Sequence, residues 1–198
     1  MKPMKLLTKI AAFAIIAITF TCCGGNDKSS QKDTAEVAQA VKPLNISVYL
    51  DLSDRLTRDI VPSQMERDMA IIDHLVDLFI ADCVDNGKII NSKNHFQVFF
   101  YPAPNSSQIA QLAKGLNVDM SKCEVSQKKV ELTDMKSRFQ KNLAQIYSDV
   151  LVQQDWVGSD IWGFFSNKEV DKLCVRSGYR NILVILTDGY FYHAQKKI

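Results

Sequence analysis

Two short segments of this 198-residue chain gather oxygen donors directly behind apolar runs. Asp51-Leu52-Ser53-Asp54-Arg55 follows Leu44–Leu50, and Thr187-Asp188-Gly189 follows residues 182–186. Carboxylates and hydroxyls of this kind suit a hard cation such as Mg2+, which takes oxygen ligands octahedrally and keeps several waters. A carboxylate such as Asp51 can also serve as a nucleophile in phosphoryl transfer. Either chemistry needs the two segments side by side, and the elements that precede them must put them there.

Those elements read as alternating strands and helices. Ile46, Val48 and Leu50 alternate with Ser47 and Tyr49, the period of a strand. Met65, Met69, Ile72, Val76, Phe79 and Cys83 are spaced four, three, four, three, four, one continuous helical face. Ser63 and Glu66 have capping-box spacing at its start, with Pro62 just before. Residues 95–101 form a second strand stopped by Pro102 and Pro104. Ile109, Leu112 and Ala113 suggest one short helix within 105–127, and 129–132 a short edge strand. Phe139, Leu143, Ile146 and Val150 mark a further helix and 161–175 another, closed by Gly178. The five branched residues 182–186 fit a central strand covered on both faces. This alternation predicts an α/β fold with a doubly wound, mostly parallel sheet. Ligand sites in such sheets lie beyond the carboxyl ends of the strands, which is where both oxygen-rich segments stand.

Taken together, Asp51-Leu52-Ser53-Asp54-Arg55 and Thr187-Asp188-Gly189 resemble the von Willebrand factor A (vWA) family. That family has D-x-S-x-S after its first strand and T-D-G after its central fourth strand. A third loop of the family, often G-T-D-I-like, is similar to Gly158-Ser159-Asp160-Ile161, with Ser159 at the threonine's place. The resemblance spans roughly residues 44–190. It implies a vWA/Rossmann-like fold and a metal-ion-dependent adhesion site in which Asp51, Ser53, Ser159 and Asp188 hold Mg2+ or Mn2+. The hydroxyls would bind directly and the carboxylates largely through water, and the metal would engage a carboxylate on a partner. Arg55 departs from the pattern, because it replaces a serine ligand with a permanent positive charge. It either faces outward, leaving its vacancy to Asp54, a water or the partner, or pairs with Asp51 or Asp188 in a metal-free site. A complete domain of this family continues past its T-D-G with a helix and further strands, so the chain reads as a C-terminally truncated member.

The N-terminus reads as an export signal. Lys2, Lys5 and Lys9 precede the apolar run 10–20, too short for a membrane-spanning helix. Thr21-Cys22-Cys23-Gly24-Gly25 resembles the lipobox of bacterial lipoproteins, with Cys22 or Cys23 as the lipidated residue, though Ala, Gly or Ser is the family's usual preceding residue. The expected organisation is a signal peptide at 1–23, a flexible polar tether at 24–42, and the α/β domain at 43–198. This places the protein in the bacterial cell envelope, tethered by lipid on the periplasmic or cell-surface side.

The remaining composition mostly excludes. A net charge of +2 with no basic cluster gives no nucleic-acid footprint. Cys83, Cys123 and Cys174 lack zinc spacing, and Cys83 and Cys174 fall on apolar stripes. His74, His95 and His193 enter no Ser/His/Asp arrangement, and no phosphate-binding glycine loop is present. Trp156, Trp162, Phe164 and Phe165 read as core around Ser159, or as an aromatic rim. Tyr190, Phe191 and Tyr192 would line the same mouth. The expected function is an envelope binding or adhesion module without a catalytic residue, engaging a protein or other envelope partner. Two alternatives are a structural or assembly lipoprotein with a degenerate, metal-free site, and a phosphatase-like hydrolase using Asp51, similar to haloacid-dehalogenase-like enzymes. The latter show D-x-D-x-T, and here Ser53 replaces their second Asp.

Overall fold

The computed structural model describes residues 41–189 except 86, 87, 155 and 157. The expectations for the signal peptide, Cys22 and Cys23, most of the tether, His193 and Tyr190–Tyr192 lie outside the described residues. Among those that are described, no helix is long and apolar enough to cross a membrane.

The chain runs through β1 (Leu44–Leu50), α1 (Gln64–Asp85), α2 (Lys88–Asn91), β2 (His95–Phe99), α3 (Ser107–Lys114) and β3 (Asn117–Asp119). It continues through α4 (Lys128–Gln153), α5 (Ile161–Ser166), α6 (Glu169–Cys174) and β4 (Arg180–Leu186). The four strands form one mixed sheet in the order β3-β2-β1-β4. β1 pairs in parallel with β2 and β4, while β3 runs antiparallel to β2. The fold is therefore α/β, as the alternation predicts.

β1 is buried along its whole length because its two faces meet different partners. Leu44, Ile46, Val48 and Leu50 join Ile72, Val76 and Phe79 of α1 and Phe139, Leu143 and Ile146 of α4 in the main core. Phe96 sits at its centre, edge-on to Phe79 and Phe139. On the other face Tyr49 packs with Ile161 and Phe164 of α5 and Cys174 of α6. The capping box forms at α1, where Glu66 accepts from the Ser63 amide and hydroxyl at 2.7 Å.

The second face is partly polar, and its amides satisfy the end of a helix. Asn45 Nδ2 donates to the Cys174 carbonyl and Gln97 Nε2 to that of Leu173, both at 2.7 Å. These are last-turn carbonyls of α6 with no intrahelical partner. Asn45 Nδ2 also donates to Asn181 Oδ1 at 2.7 Å, so its Oδ1 is left to accept from His95 Nδ1 at 2.7 Å. That assigns the Nδ1 proton to His95. Burial, followed by the Arg176 charge, pushes the His95 pKa down to about 4.

Several expected elements take a different form. Residues 129–132 are the first turn of α4 and not an edge strand, because Leu132 and Met135 continue the buried stripe of Phe139, Leu143, Ile146 and Val150. The short strand at one edge of the sheet is instead β3. Residues 161–175 make two helices, interrupted where Lys168 takes a left-handed φ of 57°. β2 ends at Phe99, two residues before the expected boundary. β4 stands at the end of the strand order, and Ile182 is 44% exposed where full cover was expected. Cys83 and Cys174 are buried free thiols, as their stripes predict.

The neutral, buried His95 gives a pH prediction. An unfolded histidine titrates near 6.5 and the folded one near 4. Stability from this group is therefore present above pH 6.5 and is lost as pH falls toward 4. The loss amounts to about 3 kcal/mol. Denaturant unfolding of the wild type and His95→Gln across this range should show the variant with the shallower pH slope; equal slopes would refute the assignment.

Candidate functional site

Three loops meet at the carboxyl ends of β1 and β4. The first follows β1 and contains a 3-10 turn, Asp54–Thr57, in which the Ser53 hydroxyl accepts from the Arg55 amide. The second precedes α5, and a bridge between Leu52 and Gly158 ties it to the first. Gly158 holds a φ of +76°, which a residue with a Cβ adopts only at a cost. The third is Thr187-Asp188-Gly189 after β4, joined to the first by the Thr187 hydroxyl, which donates to Asp51 Oδ2 at 2.8 Å. The fold thus gathers the segments holding Asp51, Ser53, Ser159 and Asp188 at one end of the sheet.

Each of these four side chains is already engaged. Asp51 is 1% exposed; its Oδ1 accepts the Ser53 amide at 2.9 Å while Oδ2 takes the Thr187 hydroxyl. Ser53 Oγ accepts from the Arg55 amide at 3.5 Å. Tyr49 donates its phenolic proton to the Tyr101 carbonyl at 2.6 Å, so the buried Ser159 hydroxyl, 2.9 Å away, is the donor to Tyr49. Burial raises the Tyr49 pKa to about 12, with the Asp51 and Asp160 charges adding to the shift. Asp188 pairs with Arg58, Nη2 to Oδ2 at 2.6 Å. Asp160 caps α5, accepting from the Gly163 amide at 2.7 Å, and a Cβ on residue 163 would lie 2.1 Å from that carboxylate, so a side chain there would displace the cap.

The feature that organises the site is Arg55. It turns inward and is 1% exposed. Its Nε donates to the Asp51 carbonyl at 2.9 Å and stands 3.8 Å from Asp51 Oδ2. Its Nη2 donates to Asp68 Oδ2 at 2.6 Å and its Nη1 to Oδ1 at 3.4 Å. Asp68 is held in turn by Tyr147 at 2.8 Å and Gln64 at 2.9 Å. Burial and the Asp68 charge raise the Tyr147 pKa, which keeps it a donor. Of the two possibilities for Arg55, the inward one is observed, although its main carboxylate is Asp68.

These side chains fit a guanidinium better than a divalent ion. A cation among Asp51, Ser53, Ser159 and Asp188 would meet the Arg55 charge at close range, and Arg58 already neutralises Asp188. Among the described residues no group of three or more His, Cys, Asp or Glu is placed to hold a metal. The enclosure of Asp51 also leaves no open face for nucleophilic attack on a phosphate ester. Of the aromatic cluster, Phe164 is buried and Trp156 packs on the main core, but Trp162 is 62% exposed and Phe165 is also exposed. Asp68, Tyr147, Arg58 and Thr187 were not among the expected site residues. For Asp68 a signal existed, since a carboxylate on the Met65-Met69-Ile72 stripe calls for a buried counter-ion.

Removing one partner of a buried pair strands the other charge, which costs about 3–5 kcal/mol. Asp68→Asn should destabilise by that amount, whereas the double change Arg55→Met with Asp68→Leu should cost clearly less than the two single changes summed. Additive losses in chemical denaturation would refute the coupling. Comparison of the chain with family models, with curated proteins and with solved structures finds no match, so the functional reading rests on this geometry.

Proposed function

We propose that the chain is a lipid-tethered binding module of the bacterial cell envelope, built on a doubly wound, vWA-like domain whose strand-end site works without a metal. The observation that carries this reading is the buried Arg55, placed between Asp51 and Asp68 where the resembling family has a serine ligand. A fixed guanidinium supplies the positive charge that a divalent ion would otherwise bring, and it needs no exchangeable ligand. The convergence of the three loops beyond β1 and β4 supports the vWA-like assignment.

The site divides by depth. Asp51, Arg55, Asp68 and Tyr147 are buried and keep the loops in place. Arg58 is half exposed, 49% against 13% for its partner Asp188, and stands at the solvent side of the loops. A partner carboxylate would be received at this rim, in place of Asp188. Exposed Trp162 and Phe165 on α5 add apolar area near the same end of the sheet, of the kind that anchors interfaces.

A thermal titration tests the metal-free reading. An ion bound only by the folded state, at a hundredfold its dissociation constant, adds about 2.7 kcal/mol. Millimolar Mg2+ or Mn2+ and EDTA should all leave the wild-type melting temperature unchanged; a rise with the ion that EDTA reverses would sink the proposal. The tether has a separate test by membrane fractionation. The double variant Cys22→Ser, Cys23→Ser should move to the soluble fraction, and its retention with membranes would refute lipidation.

A further inference from the structure

β3 brings a carboxylate to the polar face of the sheet. His95 and Asp119 are cross-strand partners on β2 and β3. The ladder bonds fall on either side of them, from the Met120 amide to the Asn94 carbonyl at 2.9 Å and from the Val98 amide to the Leu116 carbonyl at 3.0 Å. A pair so placed has its Cα atoms about 4.5 Å apart and its side chains on one face. That face is the one under α6, where His95 bonds Asn45. Asp119 Oδ2 accepts there from Arg176 Nη1 at 2.9 Å, and Arg176 belongs to 175–179, the connection from α6 to β4. The backbone of Arg176 is held as well: its amide donates to Asn181 Oδ1 at 2.9 Å, and its carbonyl accepts from Asn181 Nδ2 at 3.0 Å.

With the imidazole neutral, the Asp119 carboxylate is balanced by the Arg176 guanidinium. Nδ1 of His95 already carries a proton toward Asn45, so an added proton goes to Nε2. Burial, then the charges of Arg176 and Lys122, oppose the imidazolium, while Asp119 and Asn117 favour it. Lys122 Nζ stands 3.8 Å from Asp119 Oδ2 and is itself largely in solvent. Asn45, Ser47, Gln97 and Asn181 on this face are uncharged, and burial keeps the Cys174 thiol protonated. On α6, Asp171 and Lys172 are exposed and Glu169 pairs with Lys172. Protonation of His95 therefore sets two close cations against one carboxylate in a covered layer. His95 is 2% exposed and fixed on a strand, whereas the Arg176 side chain is 31% exposed. Arg176 is the cation that can rehydrate, so it is the one displaced.

We propose that His95, Asp119 and Arg176 form an acid-released latch on α6. Protonation of His95 turns Asp119 to the imidazolium, frees Arg176, and loosens the 175–179 connection together with the last turn of α6. Only a proton is taken up, and no covalent bond changes. Cys174, at the end of α6, shares a buried cluster with Tyr49 and with Ile161 and Phe164 of α5. Release therefore uncovers that cluster and reaches the start of α5, next to the second loop of the site. The open form binds the proton more tightly than the closed one, so its population grows by up to about tenfold for each pH unit lost.

Two native thiols separate release from unfolding. Cys174 is buried under the latch, and Cys83 is buried in the main core on the opposite face. In the full chain, labelling by a dipyridyl disulfide, which reacts with thiols in acid, is followed at each cysteine by peptide mass spectrometry from about pH 7 to about pH 4. The ratio of Cys174 to Cys83 labelling should rise on acidification, by up to about tenfold per pH unit for one coupled proton. His95→Gln keeps a donor for Asn45 but cannot take the proton, so its ratio should stay flat. Arg176→Gln changes a partly exposed side chain and should raise the ratio already at neutral pH. A flat wild-type ratio, an equal rise in His95→Gln, joint labelling of both cysteines, or an Arg176→Gln ratio equal to that of the wild type at neutral pH would each overturn the proposal.

Discussion

A guanidinium enclosed by protein must find its counter-charges within the fold, and the arrangement around Arg55 follows from that requirement. Its neighbours come from separate parts of the chain. Asp51 supplies a carbonyl and a carboxylate from the end of β1, Asp68 a carboxylate from the second turn of α1, and Tyr147 steadies Asp68 from the last turns of α4. The apolar stripes of α1 and α4 could pack on the sheet with some freedom of slide, since hydrophobic burial is non-directional. An ion pair with short, directed bonds removes that freedom, because a shift of one helical turn would leave Arg55 and Asp68 both buried and unpaired. Relative to an apolar trio of equal volume the cluster contributes little net stability; its effect is on which arrangement is reached.

The two faces of the sheet reach cover by different means. Toward α1 and α4 the contacts are aliphatic and aromatic, and long helices supply them. Toward α5 and α6 the helices have six residues each, too short to cover the sheet with apolar stripes alone. There Asn45, Gln97 and His95 connect the sheet to the end of α6 through hydrogen bonds. Buried amides of this kind stabilise only when every group is satisfied, and the chain from His95 through Asn45 to Asn181 meets that condition. Tyr49 extends the pattern toward the site, with its ring among Phe99 and Phe164 and its hydroxyl bonded to Ser159.

Much of this was legible in the residues. The strand period of β1, the stripe and capping box of α1, and the oxygen-rich segments behind β1 and β4 all correspond to what forms. The failures have local causes. Val130 and Leu132 alternate with polar neighbours over four residues, a length at which a strand and a first helical turn read alike. β3 is three residues of polar sequence, Asn117-Val118-Asp119, and takes strand form only because β2 offers it a ladder. The break at Lys168 has no glycine or proline to announce it. Arg55 was recognisable as a departure from the metal-binding pattern, but its partner was not, because Asp68 lies thirteen positions on and on another element. Its place on an apolar stripe was the available clue, and only the packing of α1 against β1 gives that clue a partner.

Depth then decides what each arginine of the site can do. Arg55 is desolvated, so exchanging its carboxylates for a ligand's would leave Asp68 or Asp51 buried without compensation, at a cost of several kcal/mol. It can hold the loops but cannot readily release them. Arg58 is half in solvent, where its ion pair with Asp188 contributes on the order of 1 kcal/mol or less and can be exchanged at small cost. The inner cation therefore sets the geometry of the three loops, while the outer one lies at their solvent-facing rim. On the proposed reading this division replaces the single metal of the resembling family, which both organises its loops and makes the contact.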